Sequence, residues 1–258
     1  MFLVVANDLR MGYVLEDLAQ FFDVVPYGKE MDVTKIKYAV LPFKVCEVEM
    51  KELVAQLRED CVIFTPIMRS FLEGIPQHIE VIMDQDEIAI YNSIPTAEGV
   101  IYYLIKNTQH TIHNANVHVI GGGRCGETLA KSLKALGARV TISSRNPKLA
   151  ARLFESGIRV VTTDSDILGE ADVVVNTVPA LVLEKQALSQ MKSDVYVVDI
   201  ATAPGGVDFQ AANALGIKAE LLPALPSIVA PKTAAKYLST FIVKTVNQKG
   251  KFSKNDRL

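Results

Sequence analysis

The chain has 258 residues, 49% of them hydrophobic, and a formal net charge of −2 at pH 7. This length suffices for one large domain or two ordinary ones, and the hydrophobic fraction is enough for a sizeable core. The near balance of charge excludes the strongly basic surface that binds nucleic acid or an anionic membrane.

The cysteines and the apolar segments indicate the compartment. Cys46, Cys61 and Cys125 are far apart and lack metal-ligand spacing, so we interpret them as free thiols in a reducing environment and predict no metal site. The first residues lack the features of a signal peptide, and no apolar run reaches membrane-spanning length. The sequence therefore predicts a cytoplasmic protein that binds neither membrane nor nucleic acid.

The first ninety-odd residues alternate short apolar strands with amphipathic helices. The predicted strands are Phe2–Ala6, Tyr38–Pro42, Val62–Thr65 and Ile79–Met83, and the predicted helices are Tyr13–Phe22 and Glu49–Arg58. Such alternation favours a parallel sheet covered on both faces. We predict a flavodoxin-like α/β domain over residues 1–95, which would contact substrate or a partner.

The segment YNSIPTAEGVIYYLIKNT, residues 91–108, is interpreted as the connector between two domains. Pro95 disfavours helical backbone at Ile94, so the predicted helix begins after the proline. Ser93 or Thr96 would cap that helix.

The alternation restarts at Asn116 and continues to about residue 222, with strands near residues 117, 139, 158, 172, 195 and 218. We predict a doubly wound Rossmann domain over residues 96–232. A closing helix from Thr233 to about Val246 has an apolar face, and we assign it to the first domain; packing against another subunit is the alternative. A basic tail follows, which we expect to be mobile.

A glycine-rich turn carries the main functional signal. Residues 121–126, with the sequence GGGRCG, match G-x-G-x-x-G between a predicted strand and a predicted helix. In a dinucleotide site Gly121 would permit the tight turn, Gly123 would let the backbone approach a pyrophosphate, and Gly126 would let helix and strand pack closely. Gly122, Arg124 and Cys125 complete the predicted turn. The alternative is a glycine-rich turn in a sheet without a cofactor.

The end of the next strand indicates which dinucleotide binds. An NAD site usually has an acidic residue about twenty residues after the glycines. Here the sequence is Ser143-Ser144-Arg145-Asn146, and no carboxylate occurs between Ser143 and Glu155. Two hydroxyls and a guanidinium suit a 2′-phosphate, so we predict NADP in preference to NAD. The alternative is that Arg145 is a solvated cation before the next helix.

Two later strand ends should lie at the same edge of the sheet, where ligands bind in open α/β folds. They are the ends of ADVVVNTVP (171–179) and of VYVVDIATAPGG (195–206). We predict cofactor contacts for Thr177, Val178, Pro179 and Asp199. The alternative in each case is an ordinary turn after a buried strand.

Several motifs resemble one family. They are DEIAIYNSIPTAEGVI (86–101), VIGGGRCG, NTVPALVL, DIATAPGGVDF and LPALPSIVAPKTAAKYL (222–238). Together they closely resemble the A subunit of dipicolinate synthase, from about residue 80 onward and more loosely before it. The resemblance implies a fold similar to D-2-hydroxyacid dehydrogenases. It also implies an NAD(P)-dependent oxidoreductase in the mother cell of a sporulating bacterium, which oxidises a dihydrodipicolinate-type product of the lysine pathway to dipicolinate. The implied partner is the flavoprotein-like B subunit of the same synthase.

The chain departs from this family at two places. Ala6-Asn7 stands where the family has a glycine pair, although Asp8 and Arg10 are retained. Ala203 stands where a basic residue is expected, so an arginine that would hold a substrate carboxylate is missing and another cation must serve.

The implied substrate is a small heterocycle with two carboxylates, which requires cations and backbone donors. We predict Arg124 and Lys232 in this role, and Arg69 and Arg10 as weaker candidates; the alternative for Lys232 is a surface lysine. Asn92, Ser93 and Thr96 are predicted to bind substrate because clefts form where domains are joined. Glu98 is the candidate catalytic base, with compensation of a helix dipole as its alternative.

The positions of the histidines argue against a hydroxyacid dehydrogenase. Oxidation of a hydroxyl needs a base, and these enzymes place a histidine before their late helix, whereas LPSIVAPKT has none. Two alternatives stay open: another small-molecule NADP-dependent dehydrogenase, of the hydroxyacid or shikimate type, and a non-catalytic NADP-binding subunit. The number of chains in the assembly also stays open, a homo-oligomer included.

Overall fold

A computed structural model describes residues 1–28, 31–162 and 167–255, the last seven of these by backbone alone. The chain forms two compact units. Unit 1 consists of residues 1–92 and the segment from Ala230 onward, and unit 2 is Ser93–Val229. The sequence placed these boundaries at residues 95 and 232.

Unit 1 is built on a parallel sheet of five strands: β1 Phe2–Val4, β2 Val24–Pro26, β3 Tyr38–Val40, β4 Val62–Thr65 and β5 His78–Val81. Their order, β2-β1-β3-β4-β5, is the flavodoxin-like order. The helices of this unit are α1 Leu9–Ala19, α2 Glu47–Gln56 and the first residues of α3 Asp86–Asn107. β2 was not predicted, because three residues are too few to show a period.

The C-terminal helix completes the core of unit 1. α9 runs over Pro231–Asn255, and its buried Leu238 and Ile242 belong to the same apolar cluster as Met11 and Leu18 of α1. Ser239 Oγ also donates to Asp17 Oδ2 at 2.6 Å. Helical backbone continues past Val246, the predicted end of this helix, to Asn255. Residues 256–258 lie outside the described part, and the mobility of the tail stays a prediction.

α3 corrects the predicted connector. The helix begins at Asp86 and contains Pro95, so neither Ser93 nor Thr96 is a cap. A proline within a helix costs one backbone hydrogen bond. Burial of Ala97, Val100 and Leu104 on the same helix offsets that cost, since these residues belong to the core of unit 2.

Unit 2 has six parallel strands: β6 Asn116–Ile120, β7 Arg139–Ser143, β8 Arg159–Val161, β9 Val173–Asn176, β10 Tyr196–Asp199 and β11 Lys218–Leu221. Its other helices are α4 Arg124–Ala135, α5 Pro147–Phe154, α6 Lys185–Leu188, α7 Phe209–Ala214 and α8 Leu225–Val229. The order β11-β10-β9-β6-β7-β8 is that of a Rossmann domain. The predicted pair of α/β folds is therefore confirmed.

The sheet of unit 2 is covered by apolar residues on both faces, as parallel sheets require. α4 contributes Leu129, Ala130 and Leu133 to one face and ends where Gly137 adopts φ +86°. Among the described helices, none is both long enough and apolar enough to cross a membrane.

The role of α9 predicts the effect of truncating one of its side chains. Ile242 is fully buried, so Ile242→Ala should lower the free energy of unfolding by about 2–5 kcal/mol. Because the chain has no tryptophan, urea unfolding is followed by circular dichroism. Lys244→Ala, on an exposed position of the same helix, should change stability by less than about 0.5 kcal/mol. Equal effects of the two substitutions would contradict the assignment of α9 to this core.

Candidate functional site

The glycine turn lies at the carboxyl end of β6 and leads directly into α4. Gly121 adopts φ +102°, a conformation that favours glycine. A Cβ built on Gly126 would lie 2.0 Å from the carbonyl oxygen of Gly121, so helix and turn approach too closely for any side chain at this position. The predicted roles of these two glycines follow from backbone geometry.

Gly122 and Gly123, which follow Gly121 in the turn, differ in their surroundings. A Cβ on Gly122 would lie 2.3 Å from Leu149 Cδ2 and 2.5 Å from Ser144 Oγ, so packing of the protein requires this glycine. A Cβ on Gly123 would meet no protein atom within 4 Å. The fold does not require glycine at 123, which fits close approach of a pyrophosphate to the backbone there.

The backbone N–H groups at the start of α4 suit an anion. Gly123 is the N-cap residue and has no side chain to accept from these N–H groups. The helix N-terminus also carries a partial positive charge. Arg124 is exposed in the first turn, while Cys125 is partly buried, and burial raises the pKa of its thiol. Residues 121–126 can therefore hold a dinucleotide pyrophosphate.

The end of β9 supports the turn. Thr177 Oγ1 donates to the carbonyl oxygen of Ile120 at 3.0 Å, and the backbone N–H of Thr177 donates to the same atom at 2.9 Å. These bonds join the carboxyl ends of β9 and β6, where the strand order reverses. The hydroxyl of Thr177 thus has a structural role, and its predicted cofactor contact stays a proposal together with those of half-buried Val178 and exposed Pro179.

The predicted cofactor contact of Asp199 does not fit the structure. The carboxylate is fully buried and accepts hydrogen bonds from Asn176 Nδ2 at 3.0 Å, from Ala201 N at 2.9 Å and from Gly206 N at 2.6 Å. Asn176 in turn donates to the carbonyl oxygen of Val178. Asp199 therefore fixes the loop after β10 to the end of β9, and we correct the prediction.

The end of β7 also differs in part from the prediction. Ser143 is buried, and its hydroxyl lies 2.8 Å from His118 Nε2, so it does not fit a contact with a 2′-phosphate. Ser144 Oγ accepts from the backbone N–H of Asn146 at 3.2 Å. Arg145 is exposed, and no ion pair involves it within the described ranges. For Ser144 and Arg145 the contact with a 2′-phosphate stays a prediction.

The predicted substrate residues lie in different surroundings. Ser93 is fully buried and lies 2.6 Å from Thr128 Oγ1, so its hydroxyl joins α3 to α4, which does not fit substrate binding. Thr96 is also buried, and Asn92 is half-buried. Lys232 is exposed in the first turn of α9.

Glu98 is exposed in the interior of α3 rather than in its first turn. Asp86 and Glu87 occupy the first turn, so the alternative of dipole compensation by Glu98 is wrong. In the described residues, no group of three or more His, Cys, Asp or Glu side chains is arranged to hold a metal ion.

Comparison with known proteins identifies the domain that contains this turn. Residues 100–214 match the family model of the D-isomer specific 2-hydroxyacid dehydrogenase NAD binding domain. The crystal structure of the dipicolinate synthase A subunit from Bacillus halodurans superposes with a TM-score of 0.88 at 34% identity, covering 95% of this chain and 96% of that one. The chain belongs to the family of dipicolinate synthase A subunits. The resemblance inferred from the sequence motifs is thus confirmed.

A curated member of the family, the A subunit of dipicolinate synthase from Bacillus subtilis, is 42% identical over 190 residues. That alignment covers 71% of this chain and 64% of the relative, which is slightly less than two thirds of the relative's length. The apo-structure of D-lactate dehydrogenase from Escherichia coli is 15% identical with a TM-score of 0.68, which shows a shared fold alone. The match to an NAD binding domain indicates a nicotinamide dinucleotide as the cofactor of unit 2.

The glycines predict two separable outcomes. Gly123→Ala should fold like the wild type but bind NADP and NAD at least about tenfold more weakly, because its Cβ enters the space next to the backbone N–H groups. Gly126→Ala should also lower the unfolding temperature, because its Cβ clashes with the Gly121 carbonyl. Calorimetric titration and thermal unfolding measure the two effects.

Gly12→Ala is the matched control, since Gly12 lies within α1 and a Cβ there meets no atom within 4 Å. It should leave dinucleotide affinity unchanged and raise stability by up to about 1 kcal/mol. Wild-type affinity in Gly123→Ala would show that the pyrophosphate does not lie against this turn.

Proposed function

We propose that the protein is an NADP-dependent dehydrogenase that oxidises a dihydrodipicolinate-type heterocycle to dipicolinate. The observation that carries the proposal is the glycine turn at the strand-order reversal of unit 2, in a chain of the dipicolinate synthase family. The name of the relatives supplies the product, and the lysine pathway and sporulation follow from that name.

The choice of NADP rests on the end of β7. Ser144 borders Gly122, and the exposed guanidinium of Arg145 follows it before α5 begins. This segment has no carboxylate that would repel a 2′-phosphate or bind a ribose 2′-hydroxyl in its place. An exposed guanidinium pairs with phosphate through two parallel hydrogen bonds.

The chemistry requires positioning and one proton acceptor. A bound nicotinamide would supply a hydride acceptor at its C4 for a ring carbon of the substrate, and the proton of the neighbouring ring atom would pass to an acceptor of the protein. The aromatic product makes this step favourable, so the protein mainly holds the two rings together. Arg124 and Lys232 stay candidates for a substrate carboxylate, and Glu98 for the proton.

The relatives are named as one subunit of a synthase, which supports a partner for this chain. We propose that the partner is the flavoprotein-like B subunit of dipicolinate synthase, in the cytoplasm of the mother cell. The partner also bears on the alternative of a non-catalytic role. If this chain binds NADP but turns over no substrate with or without the B subunit, its bound cofactor serves assembly rather than catalysis.

Arg145 tests the choice of cofactor. Arg145→Gln should raise the Kd of NADP by about tenfold, equivalent to about 1.4 kcal/mol, and change that of NAD by less than twofold. Calorimetric titration measures both constants, and Lys148→Gln, an exposed cation on α5, should alter neither. An equal loss of affinity for both cofactors would contradict a contact with the 2′-phosphate.

The proposed reaction is tested with the condensation product of pyruvate and aspartate semialdehyde. The full chain, with and without the B subunit, should reduce NADP and form an equal amount of dipicolinate, measured by absorbance of the reduced nicotinamide and by chromatography. Gly123→Ala should be inactive at cofactor concentrations that saturate the wild type. Reduction of NADP with a 2-hydroxy acid but not with the heterocycle would instead favour a hydroxyacid dehydrogenase.

A further inference from the structure

Unit 1 contains a buried arginine with unpaired donors. Arg10, in the first turn of α1, has 1% of its surface exposed, and within the described part of the chain its Nε and Nη2 atoms have no hydrogen-bond partner. Asp8 favours the charged form but serves as the cap of α1, accepting from Met11 N at 2.8 Å. Burial lowers the pKa of Arg10 to about 10, so the side chain is charged at neutral pH. A buried charge with unpaired N–H donors is unfavourable for the fold alone.

Arg10 and a second arginine, Arg69, both contact Phe43. The guanidinium carbon of Arg10 lies 3.5 Å from the centroid of the Phe43 ring. Arg69 Nη2 donates to the carbonyl oxygen of Phe43, while its Nε is buried and has no partner among the described residues. Phe43 therefore links two arginines, each of which has donors left to bind a ligand.

These residues lie where the fold of unit 1 places ligands. Arg10 follows β1, Phe43 follows β3 and Arg69 follows β4, so all three lie beyond the carboxyl ends of neighbouring strands. In the order β2-β1-β3-β4-β5 the reversal falls between β1 and β3. Sheets of this kind bind ligands at the carboxyl edge where the order reverses.

A neighbouring cavity at the same edge is less suitable for an anion. It has a volume of about 170 Å³ and is lined by residues that include Asn7, Tyr27 and Glu49. Burial and the nearby Glu49 carboxylate raise the pKa of Tyr27, and that carboxylate would repel an anionic ligand. The unpaired donors of Arg10 and Arg69 therefore mark the anion site more clearly than this cavity.

We propose that Arg10 and Arg69 bind one carboxylate group of a small dicarboxylate ligand. The proposal rests on the proposed function, which supplies the class of ligand. A guanidinium presents paired N–H donors that match the two oxygens of a carboxylate. The half-buried Phe43 ring covers Arg10, so it is the group that shifts when a ligand reaches the guanidinium.

The test is calorimetric titration of the full chain with dipicolinate, glutarate, acetate and inorganic phosphate. Dipicolinate and glutarate should bind the wild type more tightly than acetate or phosphate. Arg69→Gln and Arg10→Lys should each raise the Kd of the dicarboxylates at least tenfold and leave NADP affinity within twofold. Arg58→Gln, whose guanidinium is exposed and paired with Asp60 at 2.7 Å, is the matched control and should bind like the wild type.

Thermal unfolding separates ligand binding from a structural role. Arg10→Met removes the buried charge but keeps a long apolar side chain, so without ligand it should unfold at or above the wild-type temperature and should not be stabilised by dipicolinate. A lower unfolding temperature together with wild-type dicarboxylate binding would overturn the proposal. If the Arg10 variants fail to fold, the proposal is tested by the dicarboxylate affinity of Arg69→Gln, at a half-buried position.

The remaining outcomes are also decisive. The proposed site would be overturned if the wild type bound none of the carboxylate probes or bound phosphate more tightly than the dicarboxylates. It would also be overturned if Arg69→Gln bound the dicarboxylates as tightly as the wild type. The proposed reaction is tested separately, because NADP reduction is measured in an assay that does not depend on these titrations. Dipicolinate formation with normal dicarboxylate binding in the variants would refute this inference alone.

Discussion

The contact on which unit 2 depends is the close approach of two backbone segments, the turn at Gly121 and the first turn of α4 at Gly126. A single Cβ at Gly126 would lie 2.0 Å from the Gly121 carbonyl oxygen. This approach aligns the N-terminus of α4 with the end of β6, and the hydrogen bonds from Thr177 to Ile120 hold the neighbouring strand beside it. The open surroundings of Gly123 then leave its backbone available to a pyrophosphate.

Much of this arrangement was predictable, because local sequence determines it. Glycines at fixed spacing between an apolar strand and an amphipathic helix specify the turn, and the six strands of unit 2 each begin within two residues of their predicted positions. The departure at Pro95 has a different origin. Local preference disfavours helix before proline, but the apolar residues on both sides are buried in tertiary structure and keep the helix continuous.

What the sequence could not predict depends on pairs of residues distant in the chain. Asp199 was predicted to contact the cofactor because it ends a strand, but Asn176 and the loop N–H groups of Ala201 and Gly206 bind its carboxylate. The pairing of Ser143 with His118 likewise depends on the register of two strands. The sequence named Arg10 as a candidate cation but could not predict its burial, because the Phe43 ring that covers it follows a different strand. The one available signal was Asp8 and Arg10 directly after an apolar strand.

The most direct test of the account is a crystal structure of the full chain soaked with NADP. The pyrophosphate should lie against the backbone N–H groups of residues 121–126, with the 2′-phosphate beside Ser144 and Arg145. A well-ordered cofactor bound elsewhere, or crystals in which saturating NADP leaves no density at this turn, would contradict it.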